Sequence, residues 1–353
     1  MPDSNSLVVS TSPSLPSAIW YTRCPVPTPL GIAVQLGFFR DEFAPDGLEL
    51  RSLQETRNPA EQASHYDHSL PHSFRQGGNI PPIWARAKGR DTRVIGLSWT
   101  DELQGVIALP ESGLRSARDL RGRRVGLPKR DIAIDFTRAA ALKGVLTALE
   151  LEGLGHADVE FVDLPDLPIE DYLGARGDKP RQAVREYTNE VRALVRGQVD
   201  AIFVKGVAGL ETAHQIGATV IAETGLHPDP QVRIGNGTPR TLTVDSGLLE
   251  THPDIVARFL ARTVDAGRWA ADHPAETQSY IGRETHSNAA WVRYAYGEDV
   301  HRNLQTNLDE ASIAGLSAFK DFLFKWGFIP EDFDARAWIS HAPLEKSQRH
   351  QKT

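Results

Sequence analysis

Cysteine is almost absent from this 353-residue chain, which contains only Cys24. A single thiol excludes an internal disulfide and any metal site built from several thiolates. The twelve histidines show no HExxH or comparable ligand spacing, so no metal site is predicted. Most free cysteines are small buried hydrophobes, and a minority are reactive groups, so Cys24 has two interpretations.

Long charged runs and long apolar runs are also missing. The net charge is −7, from 39 basic and 46 acidic residues, and no basic stripe of the kind that binds nucleic acid is present. The apolar stretches fall short of the ~20 residues that a membrane-spanning helix needs. The N-terminal residues lack the basic segment and apolar core of a signal peptide, so a cytoplasmic protein is predicted.

Short apolar runs alternate with longer amphipathic segments along the chain. Strands are predicted at 18–21, 94–99, 124–127 and 201–204, among others, and helices at 29–39, 134–151, 188–196 and 253–272. This alternation is typical of an α/β protein with mixed or parallel sheets flanked by helices. Because single cores stop growing near ~250–300 residues, two cores are expected. A polar segment at 55–79 receives no helix or strand.

Three segments resemble the type II solute-binding-protein (periplasmic-binding-protein-like) fold, in its sulfonate, nitrate and thiamine-precursor branch. They are SARDLRGRRVGL at 116–127, ALVRGQVDAIFVKG at 193–206 and HPDIVARFLARTVDAGRWAADHP at 252–274. The resemblance implies two lobes with mixed sheets and a hinged cleft that binds a small organic anion. The lobes implied are 18–110 plus 245–345 and 111–244, with a flexible leader at 1–17 and a flexible tail at 346–353.

The N-terminal third resembles the aromatic sulfinate desulfinases of microbial dibenzothiophene desulfurisation. The matching residues are YTRCPVP at 21–27, His65, and RQGGNIPP at 75–82. The resemblance implies a cytoplasmic hydrolase that works without a metal or an organic cofactor. It also implies that Cys24 is the catalytic cysteine and His65 the active-site histidine, and that Arg75 and the backbone amide of Gly78 bind the sulfinate.

The chemistry of these residues suits a sulfinate, which spreads one negative charge over two oxygens as a carboxylate does. The planar fork of Arg75 offers such a group two parallel charge-assisted hydrogen bonds. At Gly77 and Gly78, no Cβ blocks the approach of backbone N–H groups to the anion. An arginine before an ordinary surface glycine turn is the alternative interpretation.

Cys24 follows the first predicted strand, at the sheet edge where open α/β sheets bind ligands. Arg23 and the start of the next helix are expected to favour its thiolate form, and Arg23 is also a candidate for binding the substrate. His65 would then exchange a proton with the sulfur. A surface histidine is the alternative interpretation of His65.

The implied reaction converts an aryl sulfinate and water into the arene and sulfite. Cys24 would act either as a general acid that protonates the ring carbon or as a nucleophile that attacks the sulfur. A dry, closed cleft slightly favours the general-acid route, because water competes for the proton. The residues do not decide between the two.

Further residues are candidates for lining the cleft. Phe136 and Phe203 are candidates for clamping an aromatic ring, and Tyr66 for lining the mouth. Lys205, at the end of a buried strand, either meets a second anionic group or only caps a loop. Residues 101–104, at the hinge, are candidates for hydrogen bonds to a ligand hydroxyl.

Two other functions stay open. One is a non-catalytic solute-binding protein that captures a sulfonate or another small organic anion for a transporter, although no export signal is seen. The other is a protein of the thiamine-pyrimidine branch, whose cysteine-rich iron motif is missing here. The predicted partner is a small organic anion, an aryl sulfinate or a sulfonate-like compound. The sequence leaves the oligomeric state open, and a monomer is compatible with it.

Overall fold

Two five-stranded sheets flanked by helices form the protein, as seen in a computed structural model that describes residues 15–166 and 186–350. The strands are β1 (Ala18–Arg23), β2 (Glu49–Ser52), β3 (Ser73–Gly77), β4 (Thr92–Ser98), β5 (Gln104–Ala108), β6 (Arg124–Lys129), β7 (Glu160–Pro165), β8 (Ala201–Lys205), β9 (Thr219–Glu223) and β10 (Arg240–Asp245). The helices are α1 (Pro29–Leu36), α2 (Phe38–Phe43), α3 (Pro59–Asp67), α4 (Ile80–Ala87), α5 (Phe136–Leu151), α6 (Thr188–Val195), α7 (Gly206–Gln215), α8 (Ser246–Thr251), α9 (Pro253–Asp272), α10 (Pro274–Glu284), α11 (Ala289–Tyr296), α12 (Glu310–Lys325) and α13 (Ala342–His350).

Each sheet is mixed, because the chain crosses between the sheets twice. The first sheet has the order β2-β1-β3-β10-β4, and β10 runs antiparallel to both of its neighbours. The second has the order β7-β6-β8-β5-β9, and β5 runs antiparallel to β8 and β9. We call each sheet, with the helices packed on it, a lobe. This is the predicted α/β class with mixed sheets.

The sheets divide the chain a few residues earlier than the predicted lobe boundaries. β5 lies before residue 110 but pairs in the second sheet, and β10 begins before residue 245 but pairs in the first. The crossings are short connections that carry no composition signal, which explains the offset. A flexible tail was predicted at 346–353, but the structure has helix α13 up to residue 350, and Ser347 in this helix is fully buried. Residues 1–14 and 351–353 of the predicted leader and tail lie outside the described residues.

Each lobe has its own hydrophobic core. In the first, the ring of Phe259 in α9 stacks between Phe39 and Phe74, with centroids 4.2 and 3.8 Å away. In the second, Val125 and Val145 pack with Phe203. α9 is amphipathic. Within residues 15–166 and 186–350, no helix is long and apolar enough to span a membrane.

The polar segment at 55–79 contains a helix and a strand that the sequence pattern did not predict. α3 begins after Asn58, whose side chain accepts a hydrogen bond from the amide of Ala60, and only Ser64 of this helix is buried. β3 is buried at its centre, yet two of its buried residues are Arg75 and Gln76. A nearly exposed helix and a buried strand with polar side chains both lack the apolar periodicity that identifies such elements.

Candidate active site

Cys24, His65 and Arg75 meet at the carboxyl end of β1. Cys24 follows β1 directly, His65 lies in the last turn of α3, and Arg75 lies within β3. The Cys24 sulfur is 3.7 Å from His65 Nε2 and 3.6 Å from Arg75 Nη2. The fold thus brings Cys24 next to a histidine 41 positions and an arginine 51 positions further along the chain.

The parallel pairing of β1 with β3 sets this geometry. Thr22 lies opposite Arg75, and the amide of Cys24 donates to the carbonyl of Gln76 at 3.1 Å. The sulfur then rests against Gly77, where an added Cβ would overlap it. Only glycine at position 77 leaves room for the thiol in this position.

Arg75 is held rigidly and is only 2 % exposed. Its Nε donates to the carbonyl of His65 and its Nη1 to the carbonyl of Gly78, both at 2.8 Å, while Nη2 faces the sulfur. Three of the five N–H groups of a guanidinium therefore point at protein atoms. One N–H on each terminal nitrogen is left for an anion.

The surroundings of Cys24 stabilise its thiolate. Burial raises the pKa of the thiol, but the charge of Arg75 and the hydrogen bond and charge of His65 outweigh it, helped by a hydrogen bond from the backbone of Gly78. The pKa of Cys24 therefore falls from an ordinary 9.0 to about 5. At neutral pH the site holds a thiolate beside a guanidinium.

Arg23 does not stabilise the thiolate of Cys24 as was predicted. Its guanidinium is bound by Glu284, with contacts of 2.8 and 3.1 Å, and neither Arg23 nor the start of α1 is among the main causes of the low pKa of Cys24. The side chains of neighbouring residues in a strand point to opposite faces, so Arg23 faces away from the sulfur side of Thr22 and Cys24. The cation that matters comes from Arg75.

Two residues that the sequence interpretation missed, Thr22 and Gln54, form a hydrogen-bond chain with the ring of His65. His65 Nδ1 is 2.7 Å from the hydroxyl of Thr22, which also accepts a hydrogen bond from Gln54 Nε2 at 3.2 Å. The same Gln54 nitrogen donates to the carbonyl of Arg23, and because a carbonyl only accepts, the amide orientation is fixed. Because a thiolate only accepts, the His65 nitrogen that faces Cys24, Nε2, carries a proton, while Nδ1 bonds to the Thr22 hydroxyl. The alternation along β1 that puts Thr22 and Cys24 on one face was the available signal.

We expect the low pKa of Cys24 to appear in its alkylation rate. In the folded protein, the rate of reaction with iodoacetamide should rise with a midpoint near pH 5, and in the urea-unfolded chain near pH 9. Because the unfolded chain then binds more protons between these two values, the free energy of unfolding should rise with pH over this range. A midpoint above pH 8 in the folded protein would show that no thiolate is stabilised.

The sulfur lies in a cavity of about 420 Å³ between the lobes. Tyr66 from the first lobe and Phe136 from the second stack across it, with ring centroids 5.9 Å apart at 18°. Phe136 is therefore at the site, as predicted for a ring clamp. Phe203 instead lines an adjoining cavity of about 190 Å³ and is packed against Gly144. The sequence could not separate the two, because each is an aromatic residue near a sheet edge.

The remaining predicted residues, Gly78 and Lys205, also line this cavity. Gly78 packs against Asn236, whose side chain would be 2.6 Å from a Cβ added to this glycine. The Nζ of Lys205 donates to Glu102 at 2.9 Å. Lys205 thus reaches the cleft, and it is already paired there with one carboxylate. Asn236 and Arg240, which also line the cavity, were not singled out from the sequence.

No group of three or more histidine, cysteine or acidic side chains that could hold a metal ion occurs within residues 15–166 and 186–350. The site therefore consists of a thiolate, an imidazole, a guanidinium and backbone amides. Such a set can bind an anion, attack an electrophile and move one proton.

Comparison with known proteins gives three findings. The family model described as "NMT1/THI5 like" matches residues 25–173. The 2'-hydroxybiphenyl-2-sulfinate desulfinase of Rhodococcus erythropolis is 28% identical over 362 residues, which cover 94% of this chain and 93% of the relative. The crystal structure of a cysteine-to-serine mutant of the enzyme DszB, in complex with biphenyl-2-sulfinic acid, superposes with a TM-score of 0.75 and 25% identity, over 94% of this chain and 99% of that one.

Solved solute-binding proteins have the same fold. The periplasmic aliphatic sulphonate binding protein SsuA from Escherichia coli superposes with a TM-score of 0.66 over 93% of each chain, at 16% identity. The chain therefore has the periplasmic-binding-protein-like fold that was predicted.

Proposed function

We propose that this chain, a relative over nearly its whole length of 2'-hydroxybiphenyl-2-sulfinate desulfinase with the periplasmic-binding-protein-like fold, releases sulfite from an aromatic sulfinate by hydrolysis. The observation that carries the proposal is the thiolate of Cys24 at the Arg75 guanidinium. A thiolate opposes anion binding, because it adds a like charge to an anion site. A site that only captured anions would gain nothing from it.

In the proposed complex, the sulfinate binds next to the sulfur of Cys24. Its oxygens accept the two N–H groups of Arg75 that face no protein atom, and the backbone of Gly78 lies at the same place. The aromatic part extends toward the stacked rings of Tyr66 and Phe136. Charge-assisted bonds fix one end of the substrate, and ring contacts fix the other.

The thiolate supports a nucleophilic route. The sulfur of Cys24 attacks the sulfinate sulfur and the carbon–sulfur bond breaks. The aryl carbon takes the Nε2 proton of the His65 imidazolium, which becomes a neutral imidazole. The arene leaves, and an adduct of SO₂ with the thiolate stays on Cys24. Water then cleaves the adduct to bisulfite and the thiolate, and His65 regains its proton from that water. No external oxidant or reductant is needed, because the electron pair of the carbon–sulfur bond stays with the aryl carbon and forms its new bond to hydrogen.

The general-acid route uses the same residues with a protonated Cys24. The thiol protonates the aryl carbon, SO₂ leaves, and its hydration gives bisulfite and a proton that returns to the sulfur. The approach of an anionic sulfinate raises the pKa of the thiol and favours this form. Rapid quenching followed by mass spectrometry of the protein separates the routes, because only the nucleophilic one gives an SO₂ adduct on Cys24.

The proposal is tested by measuring sulfite release from a panel of aryl and alkyl sulfinates at neutral pH. We expect turnover of aryl sulfinates, with one arene formed for each sulfite. If sulfinates raise the melting temperature but release no sulfite, the protein is an anion binder. A ligand at 100 times its dissociation constant then adds about 2.7 kcal/mol to the free energy of unfolding, which makes binding readily visible.

A further inference from the structure

The loop of residues 235–239 leads into β10 and is fixed to the end of β3. Gly235 and Thr238 close this loop into a tight turn by exchanging backbone hydrogen bonds of 3.0 and 3.3 Å. Asn79, which is fully buried, holds the turn in place. Its backbone amide donates to the carbonyl of Asn236 at 2.8 Å, and its Nδ2 donates to two other carbonyls of the loop at 2.9 and 3.0 Å. The side chain of Asn236 therefore extends from a fixed backbone.

The side-chain amide of Asn236 has a determined orientation. Its Oδ1 accepts a hydrogen bond from the backbone amide of Ile80 at 3.1 Å, and a backbone N–H can only donate. Within residues 15–166 and 186–350, its Nδ2 donates to no protein acceptor. Asn236 is 9 % exposed and lines the cavity that holds the sulfur of Cys24. Because Oδ1 is turned to Ile80, Nδ2 is the polar atom left for this cavity.

Gly78 brings this amide next to the site of Cys24. A Cβ added to Gly78 would lie 2.6 Å from Oδ1 and 2.9 Å from Nδ2 of Asn236, so any other residue at position 78 would displace the side chain. The backbone of Gly78 donates a hydrogen bond to the sulfur, and its carbonyl accepts one from Arg75 at 2.8 Å. Asn236 thus packs on the residue that contacts both the thiolate and the guanidinium.

A sulfinate at this site needs more donors than Arg75 provides. Its two oxygens, like those of a carboxylate, can accept about four hydrogen bonds. Arg75 has two N–H groups that face no protein atom. An amide N–H from Asn236 adds a hydrogen bond to the anion without adding another charge. The same oxygens stay on the sulfur until SO₂ is hydrated, so this donor serves both chemical routes.

We propose that Asn236 binds the substrate, and that its Nδ2 donates a hydrogen bond to a sulfinate oxygen alongside Arg75. The inference rests on the proposed function and adds a residue to its site. The part of the substrate that Asn236 touches is the anionic group that reacts. The loop of residues 235–239 thereby completes a site whose other members lie in the N-terminal third of the chain.

A purely structural role is the competing explanation. Ile80 is the first residue of α4, so the Oδ1 of Asn236 also satisfies a backbone amide at the start of that helix. If this were its only role, loss of the side chain would affect the sulfinate only by disturbing Gly78 and Arg75. Such a disturbance would also change the environment of the Cys24 thiolate.

Two variants separate these roles. Asn236→Leu keeps the size of the side chain and removes both polar atoms, whereas Asn236→Asp keeps an acceptor for Ile80 and replaces the donor by an oxygen. Asn288→Leu is the matched control, because Asn288 likewise accepts backbone amides at the start of a helix, α11, but lies outside the cavity. The probe is biphenyl-2-sulfinate. Sulfite release gives kcat and KM, calorimetry on the Cys24→Ser background gives affinity, and iodoacetamide alkylation reports the thiolate.

We expect Asn236→Leu to raise KM and the dissociation constant about 10- to 100-fold, because a hydrogen bond to a charged group is lost. Its alkylation midpoint should stay near pH 5, since Arg75 and His65 are the main causes of the low thiol pKa. Asn236→Asp should lose at least as much affinity, because an anionic oxygen then faces the sulfinate. Asn288→Leu should change neither value.

An affinity within about 3-fold of the wild type in Asn236→Leu would overturn the inference, because the lost bond is expected to cost more. If that variant does not fold, the same result in Asn236→Asp would overturn it. A loss of affinity with an alkylation midpoint above about pH 7 would also overturn it, because the surroundings of the thiolate would then be disturbed. If the wild type releases no sulfite, the proposed function fails, and the calorimetric affinities still decide the role of Asn236.

Discussion

Replacing Cys24 with serine is expected to reduce sulfite release by at least about 10³-fold while leaving the affinity for the sulfinate equal or higher. A serine hydroxyl is neutral at this pH and is both a weaker nucleophile and a weaker acid than the thiol, so both routes lose their reacting atom. The variant also removes the negative charge that the thiolate places beside Arg75. An anionic ligand should then meet less repulsion.

Steady-state sulfite release and calorimetric binding of the same aryl sulfinate measure the two parts of this prediction. Circular dichroism of the variant checks that the fold is kept, which the near-equal size of the two side chains favours. Undiminished turnover in Cys24→Ser would remove the sulfur from the chemistry. A large loss of affinity would instead show that the thiolate has a binding role.

The second large effect is expected at Arg75. Arg75→Met removes the charge that most lowers the pKa of the Cys24 thiol, so burial should dominate and the pKa should rise to its ordinary value or above. Arg75→Lys keeps a charge and should keep part of the pKa shift, but it loses the planar fork that binds two oxygens. We expect kcat/KM to fall at least about 100-fold in both variants.

The pH dependence of iodoacetamide alkylation reports the thiol pKa of each variant, and sulfite release reports the activity. Arg93→Lys is the control, because Arg93 lies in the same sheet and its charge pairs with Asp91 outside the cavity. An unshifted thiol pKa in Arg75→Met would mean that another group stabilises the thiolate. Full activity in Arg75→Lys would mean that the fork is not needed for the sulfinate.

Much of the fold could be predicted because its strands and long helices follow simple periodicity. The predicted helix at 253–272 matches α9, and the predicted strand at 201–204 matches β8 to within one residue. The helix buries apolar residues on one face, and the strand is a short apolar run buried on both faces. The segment at 55–79 was left without elements because α3 has almost no buried face and β3 buries polar side chains.

The site is harder to predict than the fold, because its contacts do not follow a local sequence pattern. Cys24 and the glycine pair stand in short motifs, and the structure brings Cys24, His65 and Arg75 together as the resemblance implied. Their roles in the chemistry stay predictions. The partners of each side chain depend on the packing of distant elements: Glu284 of α10 binds Arg23, and Thr22 with Gln54 directs His65.

Lys205 shows how far a strand position alone can be interpreted. The end of a buried strand predicted a side chain near the cleft, and the structure puts it there. Its pairing with Glu102 and the nearby Arg240 comes from three separate segments and has no local sequence signal. The contacts of Lys205 with its two partners could therefore not be predicted without the fold.

The crystal structure of Cys24→Ser with a bound aryl sulfinate tests the central claim most directly. We expect one sulfinate oxygen within about 2.7–3.2 Å of an Arg75 terminal nitrogen, and the sulfinate sulfur beside the residue-24 hydroxyl. The ring should lie against Tyr66 and Phe136. A sulfinate bound with its anionic group away from Arg75, or outside the cavity between the lobes, would contradict the account.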